Sequence, residues 1–221
     1  LIGLFIGYPH LTALDQGVMT LVQEHRGPTL DEIAVTFTLI GEFRNMLLFS
    51  ALLTGLLLLC RQWRQALFAG GTLLCTALAN TATKNFFARV RPEVLTDPLT
   101  TYSMPSGHAS GAFALFLTLG VLAGRGQPPR MRLTWLLLAC LPALSIALSR
   151  VYLGAHWPTD VLAGAMLAAC VCAASLWLNQ RQTPLNAMPF KVWWLILPAL
   201  LALFSFFALR HLPPAMLRYA Y

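Results

Sequence analysis

The sequence predicts an all-α fold, a polytopic transmembrane helical bundle of six to seven spans, and three observations carry that expectation. Hydrophobic residues make up 57% of the 221 residues and charged residues only 10%, with a mean hydropathy of +0.67, far more apolar than a soluble domain of this size. Apolar blocks recur along the whole length, whereas a signal peptide is a single block near the start. The basic residues sit in short loops between those blocks.

Taken in order, the chain opens on Leu1 and is apolar at once through Gly7, which reads as the remnant of a span with chain upstream of it. Asp15 to His25 follows as a short surface helix ending at the breaker pair Gly27-Pro28. Blocks able to cross roughly 30 Å of hydrocarbon then run over Ile33 to Cys60, Ala66 to Ala82, Ala109 to Ala123, Leu133 to Leu148, Val161 to Leu178 and Val192 to Leu209. Several are short for a span, so flanking residues or the bilayer must adapt. The first is longer than needed and contains Glu42, Arg44 and Asn45. Its helix either leaves the membrane early, which is preferred, or turns these residues to a polar interior. The expected organisation is a span remnant and periplasmic surface segment over 1–32, a helical core over 33–178, and an additional C-terminal span and tail over 179–221.

Charge patterning orients the bundle. Arg61 and Arg64, then Arg125, Arg130 and Arg132, then Arg181 and Lys191 occupy alternate loops without any acidic residue, so those loops are expected on the cytoplasmic side. Lys84 to Pro105 and Arg150 to Asp160 then face outward, with Asp15, Glu24, Asp31, Glu32, Glu93 and Asp97 on that side. The net charge of +7 does not indicate nucleic acid, because a nucleic-acid face needs clustered basic side chains. Cys60, Cys75, Cys140, Cys170 and Cys172 fall in or beside apolar blocks without zinc-ligand spacing, and read as buried filler with no disulfide framework.

Three polar stretches stand on the outer side. In Lys84-Asn85-Phe86-Phe87-Ala88-Arg89-Val90-Arg91-Pro92, a helix continued to Pro92 puts Lys84 and Arg91 on nearly one face. In Pro105-Ser106-Gly107-His108, Ser106 is placed to cap the next helix, whose first N–H groups and positive dipole end suit an anion. In the stretch from Ser149-Arg150 to His156 and Asp160, Pro158 opens a helix and sets the Asp160 carboxylate about one turn from the imidazole. A His–Asp pair fixes the tautomer and leaves one ring nitrogen with a free lone pair, as a nucleophile or base requires. Each stretch alone has a plain structural reading: snorkelling cations, a capped helix start, an interfacial hydrogen bond. Pooled, they supply three cations, two imidazoles, one carboxylate and a helix N-terminus, the inventory that phosphoryl transfer needs.

These stretches resemble the signatures K-x6-RP, PSGH and SR-x5-H-x3-D of the type 2 phosphatidic acid phosphatase superfamily, complete and in order over residues 84 to 160. The resemblance implies a helical bundle with its site at the outer membrane surface and no metal or other cofactor. It implies His156 as nucleophile forming a phosphohistidine, Asp160 orienting it, and His108 protonating the leaving lipid oxygen. Lys84, Arg91 and Arg150 hold the phosphoryl oxygens, with Ser106 and the Gly107 N–H completing the cradle. A bell-shaped pH dependence follows, since one imidazole must be neutral and the other protonated. The last block, Val192 to Leu209, is a span beyond the six usual in the family.

The expected function is therefore metal-independent hydrolysis of a lipid mono- or diphosphate, such as undecaprenyl diphosphate, phosphatidylglycerol phosphate, phosphatidate or a lipid A phosphate. The expected location is a bacterial inner membrane, multi-pass, with the site facing the periplasm or exterior. The partners are the lipid substrate and the bilayer, with an upstream fused membrane domain compatible with the opening residues. A phosphotransferase discharging onto an alcohol acceptor is the alternative. An anion carrier fits less well, because the spans hold almost no mid-membrane charge. Vanadium haloperoxidases carry the same signatures but are soluble.

Overall fold

A chain in hydrocarbon must satisfy its backbone polar groups internally, so each apolar block becomes a helix. The computed structural model describes residues 9–94, 101–181 and 183–218, and among them the chain forms eight helices and no strand. They are α1 (Pro9–Glu24), α2 (Pro28–Ile40), α3 (Phe43–Leu59), α4 (Trp63–Phe87), α5 (Gly107–Ala123), α6 (Pro129–Tyr152), α7 (Pro158–Gln180) and α8 (Phe190–Arg218). Pro28, Pro129 and Pro158 each sit in the first turn of their helix, where the missing N–H costs nothing.

The span count is lower than the sequence suggested. Among the described residues, four helices are long and apolar enough to cross a bilayer: α4, α6, α7 and the part of α8 up to Arg210. A fifth results if α2 and α3, bent by 52° at their junction, form one broken span. The block Ile33 to Cys60 is thus two helices, because the ladder breaks at Gly41 and Glu42. There both sequence alternatives are realised in part: Arg44 is exposed and Glu42 half-buried, while Asn45 is buried and donates to the Leu39 carbonyl at 2.6 Å. At 17 residues α5 rises only about 25 Å, short of a full crossing. The apolar opening from Leu1 to Gly7 lies outside the described residues.

α5 is the central helix, packed by α6, α7, α4 and α3, while α8 lies against α2 and α3. Gly120 permits the close approach of α5 to α6: a Cβ there would stand 2.9 Å from that of Ala139 and 3.0 Å from the Trp135 carbonyl. Away from this core the helices are apolar outward too. On α6, Leu133, Leu137, Leu141, Leu144 and Leu148 recur at helical spacing and are all exposed, as a lipid-facing stripe must be. The same physics corrects the cysteines. Only Cys172 is buried, whereas Cys75 and Cys170 are exposed and Cys60 and Cys140 half-buried, because in lipid an apolar residue has no need to point inward; all five are free thiols.

The loops after α3, α5 and α7 share one end of the bundle, where Arg64 donates to the Asn179, Thr183 and Pro184 carbonyls and Arg125 to Gln180. The three polar stretches gather at the opposite end. There the irregular segment from Ser103 to Ser106 is buried, as non-helical backbone in a membrane protein must be. Two of its N–H groups bond across the bundle: Ser103 donates to the Arg89 carbonyl at 2.8 Å and Ser106 to the Asp160 carbonyl at 2.9 Å.

Candidate active site

The first stretch is built differently from the helix that its spacing suggested. α4 stops at Phe87, with Ala88 left-handed at φ 44°, so Lys84 and Arg91 do not share a helix face. The residue before a proline avoids the helical region, and here the chain leaves the helix well before Pro92. Arg91 arrives from a non-helical segment, held by hydrogen bonds to the Thr101 carbonyl at 2.7 Å and hydroxyl at 2.8 Å. It still lies within electrostatic reach of Lys84, as do Asp160 and Arg150.

The second stretch forms as its residues indicate. Ser106 caps α5, its hydroxyl accepting from the Ala109 N–H at 3.4 Å, and Gly107 and His108 occupy the first turn, where N–H groups have no intrahelical partner. In the third stretch, the end of α6 explains how Arg150 and His156 meet. Gly154 adopts φ 70°, its N–H bonds the Val151 carbonyl, and the Ala155 N–H returns to the Arg150 carbonyl at 3.0 Å. This is a Schellman termination, and it folds His156 back over the helix end that carries Arg150. A side chain at 154 is doubly excluded, because its Cβ would also lie 2.8 Å from Val94. Asp160, in the first turn of α7, accepts the Trp157 N–H at 2.9 Å.

The result is convergence. His108 lies among Arg150, His156, Arg91 and Lys84, and His156 among Arg150, Arg91 and Lys84. His156 and Arg150 are each 1% exposed. Arg91 Nη1 contacts His156 Nε2 at 3.0 Å and also donates to the Ala155 carbonyl at 2.6 Å. Guanidinium can only donate, so Nε2 is the acceptor and the ring proton resides on Nδ1. Nδ1 faces Ser103 Oγ at 3.5 Å and Asp160 Oδ2 at 3.6 Å. The imidazole–carboxylate contact is therefore longer than a direct hydrogen bond, and Ser103, whose hydroxyl donates to the same Asp160 oxygen, lies beside both groups. Burial foremost, then Arg150, Arg91 and Lys84, holds His156 well below the ordinary histidine range, so its ring is neutral near pH 7. His108 Nε2 is buried and has no hydrogen-bond partner among the described residues, as fits a group whose partner is a substrate atom.

Five further residues take part that the sequence did not single out. Ser103 is one; Thr38 on α2 is another, accepting from Arg150 Nη1 at 2.6 Å. Arg89 pairs with Asp160 at 2.8 Å and with Asp15 at 2.6 Å, so Asp15 is buried in the site and the helix bearing it is more than a surface segment. An ionisable residue in an apolar helix was the available signal for Asp15. The fifth is Gly41: a Cβ there would stand 2.5 Å from Ile146 Cγ2 and 2.9 Å from His108 Cδ2. Its φ of −74° suits any residue, so the constraint is space and not backbone freedom. Gly41→Ala is therefore expected to leave the fold intact but displace the His108 ring, lowering kcat by about tenfold or more. Phosphate-release rates beside thermal midpoints check this, and unchanged kcat would show that the ring has room to give.

With this geometry in view, the PAP2 superfamily pattern matches residues 64–184, just over half of the chain. An undecaprenyl-diphosphatase of Sulfolobus acidocaldarius is 39% identical over 95 residues, 41% of this chain and 40% of the relative. A decaprenylphosphoryl-5-phosphoribose phosphatase of Mycobacterium tuberculosis is 35% identical over 127 residues, 55% of this chain and 65% of the relative. Phosphatidylglycerophosphatase B of Bacillus subtilis is 33% identical over 92 residues, 39% of this chain and 44% of the relative. The matched segments thus span between 40% and 65% of the length of these relatives. Among solved structures, a transmembrane PAP2-type phosphatidylglycerolphosphate phosphatase from Bacillus subtilis shares the fold, with a TM-score of 0.70 at 23% identity over 80% of this chain and 90% of that one. Aquifex aeolicus LpxE follows at 0.59 and 25%, over 74% and 94%.

Proposed function

Because the chain belongs to the PAP2 superfamily, we propose that it hydrolyses a lipid mono- or diphosphate through a phosphohistidine, without a metal ion, at the outer face of a bacterial inner membrane. The observation that carries the reading is the gathering of Lys84, Arg91, Arg150, His108 and His156 at one end of the bundle, with the Nε2 lone pair of His156 turned to the cations. Phosphoryl oxygens take over the N–H groups of Arg91 and Arg150, Lys84 and the first-turn N–H groups of Gly107 and His108, while Ser106 holds that turn in place. This exchange frees Nε2 from Arg91. The lone pair then attacks phosphorus, the bond to the leaving oxygen breaks, and His108, whose proton affinity burial and then Arg150 lower until the negative charge of the phosphate lies beside it, supplies the proton which that oxygen takes. Asp160 stabilises the charge that the ring acquires, with Nδ1 still protonated. Water next attacks the phosphohistidine, gives its proton to His108, and releases phosphate and the free ring. Guanidinium and ammonium groups supply the positive charge along this path.

The candidate substrates are undecaprenyl diphosphate, phosphatidylglycerol phosphate, phosphatidate and a lipid A phosphate, the first two in keeping with the names of the relatives. Headgroup choice is assigned to the loop from Glu93 to Met104, of which residues 95–100 lie outside the described ones. The test is phosphate release from those four lipids by purified protein in excess EDTA. Turnover of at least one, undiminished by chelator, is the expected result. No release from any of them would overturn the function, and release that returns only with added divalent metal would overturn the metal-free mechanism.

A further inference from the structure

Asp15 comes from α1, outside the residues matched by the family pattern, yet it is 1% exposed and sits against the start of α7. A buried carboxylate persists only when its oxygens are paired and hydrogen-bonded. Both are. Oδ1 accepts the Thr159 N–H at 3.0 Å, and Oδ2 accepts the Thr159 hydroxyl at 2.6 Å and Arg89 Nη2 at 2.6 Å. The Thr159 N–H is a first-turn donor of α7, so Asp15 supplies from another helix the acceptor it lacks in its own. Arg89 completes the bridge from its other nitrogen, Nη1 lying 2.7 Å from Thr159 Oγ1 and 2.8 Å from Asp160 Oδ1. Its guanidinium also lies over the Trp157 ring, 5.6 Å from the centroid.

Arg89 is thereby committed to two carboxylates and a hydroxyl, and is no phosphate ligand. What it fixes is Asp160. One oxygen of that carboxylate, Oδ1, is held by Arg89; the other, Oδ2, takes the Trp157 N–H and the Ser103 hydroxyl and faces His156 Nδ1 at 3.6 Å. We propose that Asp15 is a positioning residue for the phosphatase reaction, acting through Arg89 and the first turn of α7 to aim Asp160 at the Nδ1 edge of His156. This rests on the function proposed above. A family-matched segment without α1 would leave Arg89 with one carboxylate partner and Asp160 with a movable anchor.

The competing account is that Asp15 merely fastens α1 to the bundle. A double-mutant cycle separates the two. Phosphate release and thermal midpoints are measured for the full chain in lipid nanodiscs as wild type, Asp15→Asn, Asp160→Asn and the double variant. Asn keeps the shape and an acceptor for Thr159 but removes the charge from Arg89. The expected result is a fall in kcat of up to about 10²-fold in Asp15→Asn with KM within about twofold, since Lys84, Arg91 and Arg150 are untouched. In the Asp160→Asn background the same change should alter kcat by less than about twofold, because its route of action is already gone. Thr159→Val, which removes the hydroxyl shared by Asp15 and Arg89, should show the same dependence on Asp160 and serves if Asp15→Asn fails to fold. Losses that multiply in the double variants, or an unchanged kcat in the single ones, would overturn the proposal. A wild type that releases no phosphate from any lipid phosphate would overturn the function and this proposal with it.

Discussion

His156→Ala abolishes lipid phosphate release, lowering the rate by at least about 10³-fold, while the protein stays folded in detergent. The size of the effect follows from the number of things lost together: the Nε2 lone pair, the covalent intermediate, and the ring that Arg91 and the Ser103–Asp160 pair hold from its two edges. Folding survives because the backbone at 156 is set independently, its N–H bonding the Arg150 carbonyl at 3.2 Å beyond the Gly154 turn. The wild type supplies a second reading of the same residue. Burial and the three neighbouring cations push its proton affinity below the usual value of 6.5, so the neutral, reactive ring is already complete at pH 6.5 and is lost only at more acidic pH. The acid limb of kcat/KM should therefore lie below pH 6.5. Phosphate release across pH 4 to 9 is the measurement. Turnover of His156→Ala within about tenfold of wild type would remove the residue from the chemistry, and an acid limb above pH 6.5 would contradict the cationic setting.

The uneven legibility of this site in the sequence has a physical basis. Features set by a few consecutive residues were readable: the Ser106 cap, Pro158 in the first turn of α7 with Asp160 beside it, and the apolar blocks themselves. What failed was the assumption that a helix continues until its proline. Residues from Ala88 onward leave α4 because Arg89 is drawn to Asp15 and Asp160, 74 and 71 residues away, and Ser103 bonds its carbonyl. No local pattern encodes those partners. Gly41 was equally silent, since a glycine in an apolar run is tolerated within a helix, and only the approach of His108 and Ile146 shows why space is kept there. Thr38, Gly41 and Asp15 all precede the family-matched residues, whereas Lys84, Arg91, His108, Arg150, His156 and Asp160 all lie within them. The span count expected from hydropathy runs somewhat beyond the four to five candidate spans among the described residues. Hydropathy counts α5 as one more crossing, but the helix begins only at Gly107, after the buried and irregular 103–106 segment, and is left at 17 residues.

His108→Ala should discriminate between esters by their leaving group, unlike any loss at the phosphate-binding cations. A lipid alkoxide cannot depart without a proton, so removing the acid should slow release from phosphatidate by roughly 10²- to 10⁴-fold. A p-nitrophenyl ester leaves as a stabilised phenolate and needs little help, so formation of the phosphoenzyme from it should be nearly unaffected. The second step then becomes limiting, because the water that attacks the phosphohistidine has lost the group that takes its proton. His108→Ala should consequently release p-nitrophenolate in a burst stoichiometric with enzyme, and acid-labile, base-stable phosphate should accumulate on His156. The buried Nε2 atom, which has no partner among the described residues, is the structural reason to expect both effects from one residue, since the leaving oxygen and the attacking water occupy the same position in turn. Equal losses for the two esters with no burst would place His108 among the phosphate-holding groups and leave the leaving oxygen to be protonated from solvent.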